Sequence, residues 1–269
     1  MLRLLKIEIL KNKSYKAFII MMSLYFLSMG IVTARGMEFL KWLASLGADF
    51  GEIADITRVP LYHFPDIWHN LAYVSSFFKF ILAIVVIISI TNEFSFKTVR
   101  QNIIDGFDRK DFLASKVLMI GLLTLTATVF LLLICLITGL IYTPPEDLRF
   151  ILKDTEFLFG FFLETFTYLL FALLIGTFVQ RSGFAIGLLF LYTLILEPIL
   201  TFNLPEKLEF LIPYFPMRAM NEVVKVPFLK YAFMEIRDYL SFASVVTILI
   251  YAGLFIYLTY KMLRNRDLQ

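Results

Sequence analysis

Six apolar runs, each about as long as a bilayer is thick, alternate along the chain with short polar and charged segments. The runs are Ser14–Ala34, Leu71–Thr91, Ala114–Tyr142, Phe157–Val179, Phe184–Phe202 and Ser241–Tyr260. A helix of about 20 apolar residues crosses roughly 30 Å of hydrocarbon. The pattern therefore predicts an all-α membrane protein with six transmembrane helices in a single transmembrane domain, 1–269. The third run is longer than a crossing requires, which predicts tilt or protrusion from the bilayer. Ahead of the first run, Leu2, Leu5 and Ile9 recur at helical spacing, with Arg3, Lys6 and Lys13 off that stripe. This predicts an N-terminal interfacial helix over residues 1–13. Residues 203–240 carry Pro205, Pro213, Pro216 and Pro227 and two runs too short to span, Leu208–Ile212 and Val223–Leu229. Such runs predict short interfacial or re-entrant helices. In residues 35–70, Phe39, Trp42, Leu43 and Leu46 form a further stripe, and Trp68 and Tyr73 fit an aromatic belt.

Composition fits lipid as the solvent: of 269 residues, 59% are hydrophobic and 17% charged, and the mean hydropathy is +0.80. A net charge of +3 is too small to suggest nucleic acid as a partner. The distribution of charge is more informative. With six spans, residues 1–16, 92–116, 180–183 and 261–269 share one side and carry 14 basic and six acidic residues. The other side, residues 35–70, 143–156 and 203–240, carries 10 basic and fourteen acidic residues. The excess of Lys and Arg predicts that both termini face the cytoplasm. The first run lacks a small-residue cleavage site and reads as a permanent span. Cys135, inside an apolar run, reads as a packing residue.

The loop between the second and third runs carries the densest pattern. Within residues 92–116, Phe96, Val99 and Ile103 are spaced as one helical face, with Ile104 beside them and Lys97 and Arg100 off it. Asp105-Gly106 predicts a stop, Asp108 an N-cap and Asp111 the acid of a capping box for a helix entering the third span. A greasy stripe with a charged border suits either rest on the bilayer or docking into a partner's groove.

Glu93, Lys97-Thr98, Arg100-Gln101, Asp105-Gly106, Arg109 and Lys116, together with Asn265-Arg266-Asp267-Leu268 after the last span, resemble the pattern of the ABC-2-type permeases, the membrane halves of ATP-driven exporters. The resemblance covers the span count and topology of the whole chain. It implies a cytoplasmic coupling helix at Phe94–Ile104 within the loop 92–113, seated in a cleft of a separate nucleotide-binding ATPase subunit. It also implies a second permease copy or a paralogue as dimer partner, and a bacterial or archaeal plasma (inner) membrane location. The coupling residues so implied are Glu93, Phe94, Phe96, Lys97, Val99, Arg100, Ile103, Ile104 and Arg109. Phe107 and Asp108 fall at positions that vary within the family, which leaves the partner's identity open.

No Gly-x-x-x-x-Gly-Lys-[Ser/Thr] phosphate loop occurs in the sequence, so ATP and Mg²⁺ are expected on the partner subunit and no cofactor in this chain. There is no His-Glu-x-x-His and no Cys/His cluster. His63 and His69 read as plain interfacial histidines, too few for a metal site. No catalytic residue is assigned.

Three charged residues fall well inside apolar runs, away from the first turn: Lys79, Glu164 and Glu197. Counted from the outer ends of their spans they lie roughly 12, 10 and 8 Å deep. Lys79 can therefore pair with Glu164 or with Glu197, all three can snorkel separately, or they can serve substrate or protons. Gly183 and Gly187 form a Gly-x-x-x-Gly, suited to packing within the chain or to a dimer seam. The resemblance thus implies an exporter permease, and aromatic, Ser and Thr lining candidates suit an amphipathic or hydrophobic substrate. An ion-coupled carrier or channel, and a non-transporting scaffold or immunity protein, are the alternatives.

Overall fold

The computed structural model describes residues 2–13, 15–45, 60–99, 101, 106, 108–228 and 239–265. Arg100, Ile103, Ile104, Asp105, Phe107 and Leu46 lie outside the described residues, as do the side chains of Leu2, Leu5, Phe39, Trp42 and Leu43. The described secondary structure is helical throughout. In chain order the helices are α1 (Leu2–Lys13), α2 (Lys16–Ser45), α3 (Ile67–Ser76), α4 (Lys79–Ser95), α5 (Arg109–Tyr142), α6 (Glu156–Val179), α7 (Ser182–Phe202), α8 (Pro216–Asn221) and α9 (Phe242–Asn265). Short 3₁₀ turns cover Pro145–Phe150 and Glu206–Tyr214.

Five of these helices are long and apolar enough to cross a membrane: α2, in its part Lys16–Gly36, α5, α6, α7 and α9. The predicted second span is not one straight helix. It divides into α3 and α4, bent by 42° at Phe77-Phe78, and the pair makes a sixth crossing if it is a single broken span. The cause is local. The Ser76 hydroxyl donates back to the Tyr73 carbonyl at 2.9 Å. The amides of Phe77 and Phe78 bond three residues back, to Val74 and Ser75. Serine pairs that compete with the helical ladder are a recurrent source of kinks.

Helix α6 is the hub. Of its most apolar stretch 72% is buried, against 17% for α2 and for α7. It packs chiefly on α4 and α9, then on α3 and α5. Close approach to α4 depends on Gly176: a Cβ there would meet Ile90 Cγ2 and come within 3.6 Å of the Ile87 backbone. The lightly buried helices leave apolar side chains such as Ile20, Leu27, Ile31, Phe184 and Leu249 exposed, as a lipid solvent permits.

Helix α7 contains one π-turn, Tyr192–Leu196, just before Glu197-Pro198. Pro198 has no N–H to donate, and its ring crowds the carbonyl four residues back. Widening the preceding turn accommodates both. In the 203–240 segment the Leu208–Ile212 run becomes a 3₁₀ turn, whereas residues 223–227 are non-helical, with Val223 and Val224 buried. Trp68 is not part of a lipid-facing belt. It is 1% exposed and donates its indole N–H to the Ile151 carbonyl at 2.9 Å. Burial with a satisfied N–H is an alternative outlet for the same amphipathic ring.

Candidate functional site

The ionisable side chains gather at two ends of the bundle, one beside α8 and one beside α1.

At the α8 end, Lys79 opens the first turn of α4, immediately after the bend. Its ammonium donates to Glu164 Oε1 at 2.5 Å and to Asn221 Oδ1 at 3.3 Å, and it lies 5.3 Å from the Tyr168 ring centroid. Glu164 and Tyr168 are one turn apart on the face of α6 that meets α3 and α4. The same face carries Phe157, stacked on the His69 ring with centroids 3.8 Å apart. The side chains of Lys79 and Glu164 are 8% and 1% exposed. The open choice of partner for Lys79 is thereby resolved in favour of Glu164. Snorkelling fails for the pair, because both heads are spent on each other inside the bundle.

Glu197 has a different task. Its carboxylate accepts the backbone N–H groups of Met217 at 3.0 Å and Arg218 at 2.8 Å. These are the second and third residues of α8, whose first residue is Pro216. The residue before the helix, Phe215, has no oxygen with which to cap it. A carboxylate delivered from α7 fills that role and complements the positive end of the helix. The π-turn that tolerates Pro198 also sets the position from which Glu197 reaches across.

His69, expected at the interface, is buried within α3, and its Nε2 is 2.9 Å from the Lys225 carbonyl oxygen. No group of three or more metal-ligating side chains forms among the described residues.

At the α1 end, Lys116 of α5 sits between two carboxylates. It donates to Glu8 Oε2 at 2.7 Å and to Glu93 Oε1. Lys11 Nζ lies 3.4 Å from Glu93 Oε1 and 3.6 Å from Glu8 Oε1. The Ser115 hydroxyl is 3.4 Å from Glu8 Oε1, and the Asn12 amide donates to the Glu8 carbonyl. Three elements meet here: α1, the end of α4 and the start of α5. Sequence reasoning marked Glu93 and Lys116 but missed Glu8. Its signal was faint, a single acid on an otherwise basic helix. Of the predicted apolar stripe of α1 only Ile9 has a described side chain, and the face of the helix that meets the bundle is a polar one. The described inward positions are Glu8 and Asn12, one turn apart, while Ile9 is exposed. Meeting a buried lysine decides which way the helix turns.

The loop that follows α4 departs from the predicted continuous helix Phe94–Ile104. Glu93 and Phe94 belong to α4, which ends at Ser95. Lys97 then adopts φ +55°, a left-handed conformation that breaks the helix. The Thr98 hydroxyl donates to the Glu93 carbonyl, and the chain is helical again at 98–99. The break separates side chains that a single helix would align: Phe96 is 75% exposed, and Val99 is 2% exposed. Lys97 is exposed. Gly106 turns the chain at φ +91°. Asp108 stands at the predicted N-cap of α5 in extended geometry, without a side-chain capping bond, and Asp111 lies in the first turn. Arg109 is engaged within the chain, donating to the carbonyls of Leu263 and Arg264 at the end of α9. It closes the C-terminus of that helix.

Gly183 and Gly187 do not pack within the chain. A Cβ at either would meet nothing within 4 Å, and the inward positions of this turn are Ala185 and Leu189. The expectation of packing inside the chain is overturned there, because α7 turns its glycine face outward.

No protein-family model matches the sequence, and no curated protein matches it either.

Proposed function

We propose that this chain is the membrane-spanning permease subunit of an ABC exporter, with six spans, both termini in the cytoplasm and α3 and α4 forming one bent span. The observation that carries the reading is Phe96, a large aromatic side chain standing out at the mouth of a charged loop whose neighbours Glu93 and Val99 are buried. An exposed aromatic beside an exposed lysine suits capture in a partner's groove. The resemblance of Glu93, Lys97-Thr98, Arg109 and Lys116 to the ABC-2 pattern names the kind of partner, a nucleotide-binding ATPase subunit.

The proposed mechanism uses this chain's own contacts. ATP-driven closure of the partner pushes the loop at Phe96-Lys97. Glu93 and Lys116 hold the loop's two flanking helices together, so a push there is shared by α4 and α5. Glu8 and Lys11 pass the same displacement to α1. Arg109 ties the start of α5 to the end of α9, so the last span follows. The substrate class proposed is amphipathic or hydrophobic, and the partner copy of the permease is proposed from the resemblance alone.

The test is purification of the tagged chain from its native membrane in mild detergent, as wild type and as Phe96→Asp with Lys97→Glu. An ATP-binding chain that accompanies the wild type and is lost from the variant supports the reading. Val99 is left unchanged because it is buried. If no ATPase accompanies the wild type, the ion-coupled carrier reading gains. The observation favouring that reading is the buried Lys79–Glu164 pair, since buried intramembrane charges also mark ion paths.

A further inference from the structure

A groove with a volume of about 660 Å³ opens sideways between α1, α2 and α5. Its walls are apolar, supplied by Phe18, Met22 and Phe26 of α2 and by Leu122 of α5, with Ile9 of α1 at one end. It exists because α2 leans on α5 only further along. There Phe26 and Phe130 meet edge to face at 4.9 Å, and Gly30 faces Phe130. Below that contact the two helices part, and α1 closes the end. From Phe18 to Phe26 the groove runs about 12 Å along the helix axis. The hydrocarbon half of a bilayer is about 15 Å deep. The groove therefore spans most of one leaflet and is shaped for a chain rather than a compact solute.

Its end at α1 is basic. Lys13 lines the groove there, and Lys6 and Lys16 are exposed on the same two helices. Lys11 is held by Glu8 and Glu93, so those two acids are already committed to lysines. An apolar slot of leaflet depth crowned by exposed lysines is complementary to one kind of molecule: a lipid with a negative headgroup.

We propose that this groove holds an anionic phospholipid of the leaflet at the α1 end, with one acyl chain along Phe18, Met22, Phe26 and Leu122 and its phosphate at Lys13 and Lys16. The lipid completes the packing that α2 lacks on this side and fixes the seat of α1. The inference rests on the chain's being a membrane protein and is independent of the exporter reading.

Native mass spectrometry of the purified chain tests it, with phosphatidylglycerol and phosphatidylcholine as probes added in equal amounts. Wild type should retain one phosphatidylglycerol preferentially, by about tenfold, from the attraction of two lysines to an anionic headgroup. Lys13→Glu with Lys16→Glu, both exposed side chains, should abolish the preference. Ile19→Trp, on the groove wall and 50% exposed, should displace the retained lipid while leaving the lysines intact. Met22→Trp is a second filler should the first misfold. Equal retention of the two lipids by wild type overturns the proposal. So does unchanged phosphatidylglycerol retention in both folded fillers, which would reduce the lysines to a general surface attraction. A filler that changes dimer population but not lipid retention also overturns it, in favour of a second copy of the chain.

Discussion

The two charge clusters are built from the same residue types and behave differently. Beside α8, one lysine meets one carboxylate, Lys79 and Glu164, at 2.5 Å, deep between helices. Beside α1, two lysines share two carboxylates, and one of the lysines, Lys11, is 38% exposed at its side chain. A lone buried pair is a fixture, because losing either partner leaves a charge without solvent or counter-ion. A shared cluster at the edge of the bundle can exchange partners: Glu93 Oε1 is within reach of both Lys116 and Lys11. Networks of this kind hold elements together while permitting small displacements. The pair thus suits a static end of the molecule, and the cluster suits the end proposed to move.

The largest expected effect is at the fixture. Lys79→Met should cost about 3–5 kcal/mol of stability by stranding the Glu164 carboxylate. Adding Glu164→Leu should recover most of it, as read by thermal unfolding in detergent. The exchange Lys79→Glu with Glu164→Lys should rescue partly, whereas Lys79→Glu with Glu197→Lys should not. Next is Glu197→Ala, which frees two backbone N–H groups at the start of α8 and should cost about 2 kcal/mol. Lys116→Ala should cost less, about 1–2 kcal/mol, because Lys11 stays within 4 Å of both acids and offsets one of their two charges. If Lys116→Ala proves as damaging as Lys79→Met, the contrast between fixture and shared cluster fails. The smallest effect is at the glycines: Gly187→Ala should be neutral or stabilise by up to about 1 kcal/mol, because alanine favours the helix and nothing opposes its methyl group. Gly176→Ala should destabilise by a similar amount or more, since Ile90 must move.

Much of the fold could be read from the chain's apolar runs, because length and hydropathy alone decide what can cross a bilayer. Five of the six predicted runs coincide closely with long helices. The sixth hid a bend, since Leu71–Thr91 is apolar on both sides of Phe77-Phe78 and only Ser75-Ser76 hinted at it. Depth counting correctly put Lys79 level with Glu164 but could not choose between Glu164 and Glu197. Depth follows from position along a helix, whereas partner choice follows from rotation, and each residue turns the face by about 100°. The Gly183–Gly187 spacing likewise announced a possible close contact without saying with what. In the loop, Phe96, Val99 and Ile103 looked like one stripe because spacing assumes an unbroken helix. The left-handed Lys97 breaks it, and lysine carries no local signal for that conformation. Glu8 was missed because one acid on a basic helix looks like solvated surface until Lys116 is brought beside it.

The central claim is that Phe96 is where a separate ATPase meets this chain. Replacing Phe96 by a photoreactive phenylalanine analogue and irradiating native membranes tests it most directly. The account predicts a crosslinked product in which the second chain is an ATP-binding protein, diminished when ATP is depleted or Lys116 is changed to alanine. Crosslinks to lipid alone, with the probe folded and the membranes intact, would contradict it and leave Phe96 as a side chain resting on the bilayer.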